Sequence, residues 1–227
     1  MPNKTAIDHI LFLDIETVPE EKDFIMLSEE KKKLWEEKSR YNRKEEFTAE
    51  EFYDRAGIWA EFGKIICISV GYFKFRSGSR SFRITTFHGE EEKLLRDFSA
   101  LLNTHFSKSH HLLCAHNGKE FDFPYLCRRM LINCIQLPAL LNLSGRKSWE
   151  IPHLDTMEMW KFGDYKHYTS LDLLAAIFNI PSSKSVMPKV SSRPYRWSSL
   201  YSRRSIVCST TIPKAPTASG ASTSIIQ

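Results

Sequence analysis

The sequence predicts an α/β domain, a mixed sheet flanked by helices, with a charged helical insertion and a disordered C-terminal tail. Three observations lead there. The apolar run Ile10-Leu11-Phe12-Leu13 stops at the acids of Asp14-Ile15-Glu16. Beyond it, short strand-like runs alternate with segments of helical periodicity. Near Ser185 the composition changes abruptly.

In chain order, residues 9–14 read as a buried strand ending at the acids. Residues 20–57 form a charged insertion with Trp35, Phe47, Phe52 and Tyr53 spaced through it, and Thr48-Ala49-Glu50-Glu51 has the pattern of a capping box, which predicts helix. Strands are expected over 64–75 and 82–87, joined by a hairpin turn at Arg76-Ser77-Gly78-Ser79. Leu94, Leu95, Phe98, Leu101 and Leu102 recur at helical spacing over 90–105. Leu112-Leu113-Cys114-Ala115 reads as a short buried strand, followed by a turn at Gly118 and a helix to about Asn133. A last strand is expected over 151–156, and Ser170 is placed to cap a helix containing Leu171, Leu174 and Ile177. This order of elements is that of a ribonuclease-H-like fold, whose carboxylates sit at strand ends.

Length and composition bound the rest. A chain of 227 residues, 42% hydrophobic and 26% charged, fits one moderate globular domain with an appendage. Its net charge of +5 says little about partners, because residues 185–227 carry six basic residues and no acid, which leaves residues 1–184 at −1. That last segment, with eleven serines, four threonines and four prolines, lacks the periodic apolar residues a core needs and reads as a disordered tail. The five cysteines are scattered, without zinc-ligand or disulfide spacing. No apolar run approaches the roughly 20 residues of a membrane span. Met1-Pro2-Asn3-Lys4 leads directly into polar residues, so no signal peptide is visible and a cytoplasmic location is expected.

The chemistry is concentrated in two acidic motifs. Side chains two apart on a strand share a face, so Asp14 and Glu16 point the same way while Ile15 faces the other layer. In Asn117-Gly118-Lys119-Glu120-Phe121-Asp122 the acid falls in the first turn of the predicted helix, and Pro124 is tolerated there because early helical N–H groups have no partners to lose. Asn117 at the strand exit is a candidate to hydrogen-bond substrate, and Phe121 to stack on a base. Taken singly, each acid is also what a solvated strand end or a helix dipole would select.

Together these residues resemble the DEDD superfamily of 3′–5′ exonucleases, and in particular the bacterial predicted exonucleases related to the proofreading domain of family B DNA polymerases. Asp14-Ile15-Glu16 is similar to the family's Asp-x-Glu motif, and Asn117 through Asp122 to its Asn-x-x-x-[Phe/Tyr]-Asp motif. His153-Leu154-Asp155-Thr156 and Thr169 through Ala175 resemble flanking family segments, so the likeness spans residues 7–184. It implies a metal-dependent hydrolase of phosphodiester bonds acting at a single-stranded 3′ end, of DNA or RNA, with no membrane partner and no protein partner indicated. Asp14 would bridge two Mg²⁺ or Mn²⁺ ions about 4 Å apart, with Glu16 on one and Asp122 on the other. Thr17, Asn117 and Phe121 would contact substrate.

One family motif is missing. A helix carrying Tyr-x-x-x-Asp, or His-x-x-x-x-Asp in the sister branch, should follow the Thr169–Ile180 segment, yet no acid occurs after Asp172. Tyr168 to Asp172 and His167 to Asp172 satisfy those patterns, but Asp172 reads as an N-terminal helix acid. A reading-frame shift near codon 184, a natural truncation, or an acid supplied by a partner would each account for the loss, and the frame shift is the reading preferred here. Activity is accordingly doubtful. The alternatives are a catalytically inactive nucleic-acid-binding relative and an α/β domain whose acids merely face solvent.

Overall fold

A computed structural model describes residues 6–43, 46–76, 78–164 and 168–180. Contacts divide the chain into Met1–Pro181 and Ser182–Gln227. The tail expected over 185–227 lies outside the described residues, as does His167.

Five strands form one sheet in the order β3-β2-β1-β4-β5, with β1 at Ile10–Pro19, β2 at Gly63–Arg76, β3 at Ser79–His88, β4 at Leu112–Ala115 and β5 at Leu154–Asp155. β1, β2 and β3 pair antiparallel, whereas β4 runs parallel to β1 and β5 parallel to β4. This is the mixed arrangement the sequence predicts. Helix α1 spans Glu29–Arg43, α2 Glu91–His105, α3 Asp122–Ile132, α4 Thr156–Lys161 and α5 Leu171–Ile177.

Burial follows the alternation of β1. Leu11, Leu13 and Ile15 turn into a core shared with Ile68 and Val70 of β2, Leu94, Leu95, Phe98 and Leu102 of α2, and Phe123, Leu126 and Met130 of α3. The opposite face carries Phe12, Asp14 and Glu16, and across the ladder Gly71, Ser69 and Cys67. Phe12, Phe73 and Phe82 make ring contacts on that face, and a Cβ at Gly71 would meet the Phe82 ring at 2.4 Å, so glycine there makes room for the aromatic group.

Three local expectations need correction. The strand expected over 151–156 shrinks to Leu154–Asp155, because the Asp155 carboxylate accepts the Met157 and Glu158 N–H groups and starts α4 at Thr156. The capping box forms as expected, Thr48 N–H donating to Glu51 at 2.8 Å and Glu51 N–H to Thr48 Oγ1 at 3.2 Å, but it opens onto turns and a 3₁₀ segment at Tyr53–Ile58. The α-helix of the insertion is α1, which buries Trp35 in a separate aromatic cluster with Phe52, Tyr53 and Phe62. Finally, the strand expected over 9–14 does not end at the acids: β2 pairs with it as far as Pro19, so Asp14 and Glu16 lie within β1. Arg129 of α3 is turned away from solvent. It is buried, donates from Nε to Glu91 Oε1 at 2.8 Å and from Nη1 to the Ala60 carbonyl at 2.8 Å, and forms a second charged contact with Glu91 Oε2. Glu91 also accepts the Ile65 N–H at 2.7 Å, so one ion pair ties α2, α3 and β2 together.

Candidate functional site

β4 pairs with the first residues of β1, so its carboxyl end comes level with the middle of that strand, which brings residues 14–17 next to the turn at 116–122. Asp14 and Glu16 stand exposed on one face of β1, as the alternation predicts. A register shift between Glu16 and Thr17 bulges the strand directly after the second acid. Bulges of this kind re-aim side chains at the edges of sites. Thr17 beyond it is half-buried.

Asp122 opens α3 and is 4% exposed. Its Oδ1 accepts the Ile15 N–H at 3.2 Å, the hydrogen bond that joins the two acidic motifs. Burial, and after it the charge of Asp14, push the Asp122 carboxyl up to about 7, while the Ile15 N–H pulls the other way. Asp14 and Asp122 therefore sense one another.

The turn between β4 and α3 is built to a tight tolerance. Asn117 adopts φ +62°, and a Cβ at Gly118 would meet Ala115 Cβ at 2.4 Å. The Asn117 N–H donates to Asp155 Oδ1 at 2.9 Å and the Lys119 N–H to Asp155 Oδ2 at 3.1 Å. Asn117 Oδ1 is buried and has no hydrogen-bond partner among the described residues. His116 braces the same turn, its Nδ1 2.9 Å from Thr156 Oγ1 and its Nε2 2.8 Å from the Thr169 carbonyl oxygen. Phe121 is half-buried against the core, its ring 5.3 Å from that of Tyr125.

The structure thus joins Asp14 and Asp122 through the Ile15 N–H, with Glu16 on the same face of β1 as Asp14, and Asn117 and Phe121 in the turn that leads to Asp122. Asp172 is exposed in the first turn of α5, the place read for it from the sequence. Two supporting residues escaped notice. Asp155 appears in the sequence only as part of a flanking segment, although an acid two residues before Met157 and three before Glu158 is a helix-capping signal. His116 carries no local signal, since its partners lie 40 and 53 residues away.

Among the described residues, no group of three or more His, Cys, Asp or Glu side chains is placed to hold a metal ion. The donor chemistry nevertheless suits a hard dication. Asp14, Glu16 and Asp122 offer only carboxylate oxygens, and a cation between Asp14 and Asp122 would relieve the repulsion that raises Asp122.

The chain is thus an α/β domain whose mixed five-stranded sheet carries Asp14 and Glu16 on its central strand and has Asp122 at the start of the helix after β4. Residues 58–190 match the family of predicted 3′–5′ exonucleases related to the exonuclease domain of PolB (DNA_pol_B_exo2), and the chain belongs to that family. The match takes in Asn117 through Asp122 and leaves Asp14 and Glu16 outside, so that the two motifs are joined by geometry. Exonucleases of this kind generally depend on divalent metal and act on nucleic acid. Among solved structures, the chain is similar to the family B DNA polymerase from the hyperthermophilic archaeon Pyrobaculum calidifontis, with 16% identity and a TM-score of 0.42. That likeness covers 78% of this chain and 19% of the polymerase. None of the curated proteins matches the sequence.

Proposed function

We propose that this chain is built as a metal-dependent 3′–5′ exonuclease that hydrolyses phosphodiester bonds at single-stranded 3′ ends of DNA or RNA. The observation that carries the proposal is the meeting of the two acidic motifs, with Asp122 bonded to the Ile15 N–H and raised by the charge of Asp14. Asp14 would hold both of two Mg²⁺ or Mn²⁺ ions, with Glu16 and Asp122 completing one each. When bound, such ions supply a nucleophile at neutral pH and counter-charge for the leaving 3′ oxygen.

The remaining roles belong to the protein. The alternation of β1 presents both of its acids to one side, so the scissile phosphate would approach along that face. The Asn117 N–H is committed to Asp155, which holds this turn in place, and the side chain would contact the terminal nucleotide. Thr17 and Phe121 flank the acids and would hold its sugar and base.

A second reading rests on a specific observation, that no acid follows Asp172. Without the family's third motif the attacking water lacks its positioning group, and losing a general base alone typically slows a reaction about 10²–10⁴-fold. The chain would then bind 3′ ends without cutting them. Incubating it with Mn²⁺ and 5′-labelled single-stranded oligonucleotides separates the two. The exonuclease gives a 3′-shortening ladder that Asp14→Asn abolishes, whereas retained binding with no ladder selects the inactive relative. Neither a ladder nor binding would leave only a domain with solvated acids.

A further inference from the structure

At the other end of β4 a cavity of about 290 Å³ opens between the segment before that strand and the loop that leads to β5. Ser107, Lys108, Ser109 and Arg146 line it, with His111 and His153 among its walls. None of its lining residues is acidic. Among the described residues, the ion pairs include neither Lys108 nor Arg146. Two cations therefore share a concave surface with no countercharge.

The histidines stiffen this cavity without adding charge. His153 Nδ1 accepts the Leu113 N–H at 3.2 Å, and its Nε2 lies 2.7 Å from the Leu140 carbonyl oxygen, so that nitrogen carries the proton. His111 Nδ1 accepts the Lys108 N–H at 3.2 Å, which fixes the backbone of the lysine. Burial holds both imidazoles below the ordinary histidine range; the charge of Lys108 adds to this at His111, and those of Lys119 and Arg146 at His153. The walls stay neutral, and the positive charge is that of Lys108 and Arg146.

A guanidinium fork, an ammonium and two hydroxyls are the donor set that suits a tetrahedral oxyanion. The volume sits at the lower edge of the ~300–1,000 Å³ typical of small-molecule sites, room for a mononucleotide-sized molecule and little more. We propose that this cavity binds a phosphate dianion, either free or as the 5′-phosphate of a mononucleotide. The site is separate from the carboxylates. Leu112, which lines it, begins β4, while Ala115 at the far end of the strand leads into the turn before Asp122, about 10 Å along the strand.

The test is calorimetric titration of the full chain with inorganic phosphate and, separately, with a nucleoside 5′-monophosphate, in EDTA and low salt. Without metal the carboxylate end repels anions, so binding there does not contribute. Saturable binding is expected, weakened about tenfold or more by Arg146→Ala or Lys108→Ala and unchanged by Asp14→Asn, since a charge-assisted hydrogen bond is worth about 1.5–3 kcal/mol. Tighter binding of the mononucleotide assigns it as the ligand class, and equal binding assigns free phosphate. No saturable binding to the unaltered chain, or an affinity indifferent to loss of both cations in variants whose circular dichroism is unchanged, overturns the site.

Discussion

Burial and the Asp14 charge hold the Asp122 carboxyl up at about 7, against about 3.9 in an unfolded chain. Between those values the folded chain keeps a proton that the unfolded chain has released. This carboxyl's contribution to stability is therefore fully present below the unfolded value and is lost as pH climbs through about 7. In EDTA, Asp122→Asn should raise stability at pH 8, by about 2 kcal/mol, and change it little at pH 4. Thermal unfolding at the two pH values checks this, and an equal effect at both would show that the carboxyl does not titrate as inferred. Arg129 gives a second expectation. Arg129→Ala leaves Glu91 without its cation and should cost about 3–5 kcal/mol, measurable by urea unfolding, whereas Arg129→Met combined with Glu91→Gln, which keeps an acceptor for the Ile65 N–H, should recover part of it. The two residues differ in how openly the sequence displays them. Asp122 sits in a spaced motif that its chemistry explains, while the burial of Arg129 depends on Glu91, 38 positions away, and nothing local separates it from the exposed Arg128.

β4 and α2 are readable from an apolar run and a period of 3.6, and β1 from its apolar start, but the half of β1 beyond Asp14 carries acids and a proline and does not read as strand. β5 is not readable, because its two residues are too few to show a period and its boundary is set by one capping side chain. That side chain has leverage on the site. Asp155 accepts N–H groups from Asn117, Lys119 and Met157, so Asp155→Ala frays α4 and strands two amides of the turn before α3. The cost should reach about 3 kcal/mol, the sum of a lost cap and unsatisfied buried donors. Hydrogen exchange at Asn117 and Lys119 should accelerate in this variant. Unchanged protection there would show that the turn holds itself.

On the scale of the whole chain, composition and fold part company near the same place. The family match ends at residue 190, and acids cease after Asp172. Just before, the seven-residue α5 leaves Leu171, Leu173 and Ile177 exposed, with Phe178 and Ile180 beyond it, a concentration of apolar surface that soluble domains usually cover. A frame shift near codon 184, the reading preferred from the sequence, would account for both facts. It predicts that one of the two other reading frames downstream encodes an amphipathic helix with Tyr-x-x-x-Asp, and resequencing the gene decides the matter. Its absence from both frames sinks the explanation.

The bond from Ile15 to Asp122 closes a loop of 107 residues. β2 and β3 meet across a short hairpin, and the aromatic cluster of the insertion gathers residues 27–62, so both can form from neighbouring sequence. The parallel pairing of β1 with β4 must instead wait for everything between them, and contacts of such separation are the slow ones in folding. During synthesis, then, the two acidic motifs stay apart until the second has emerged.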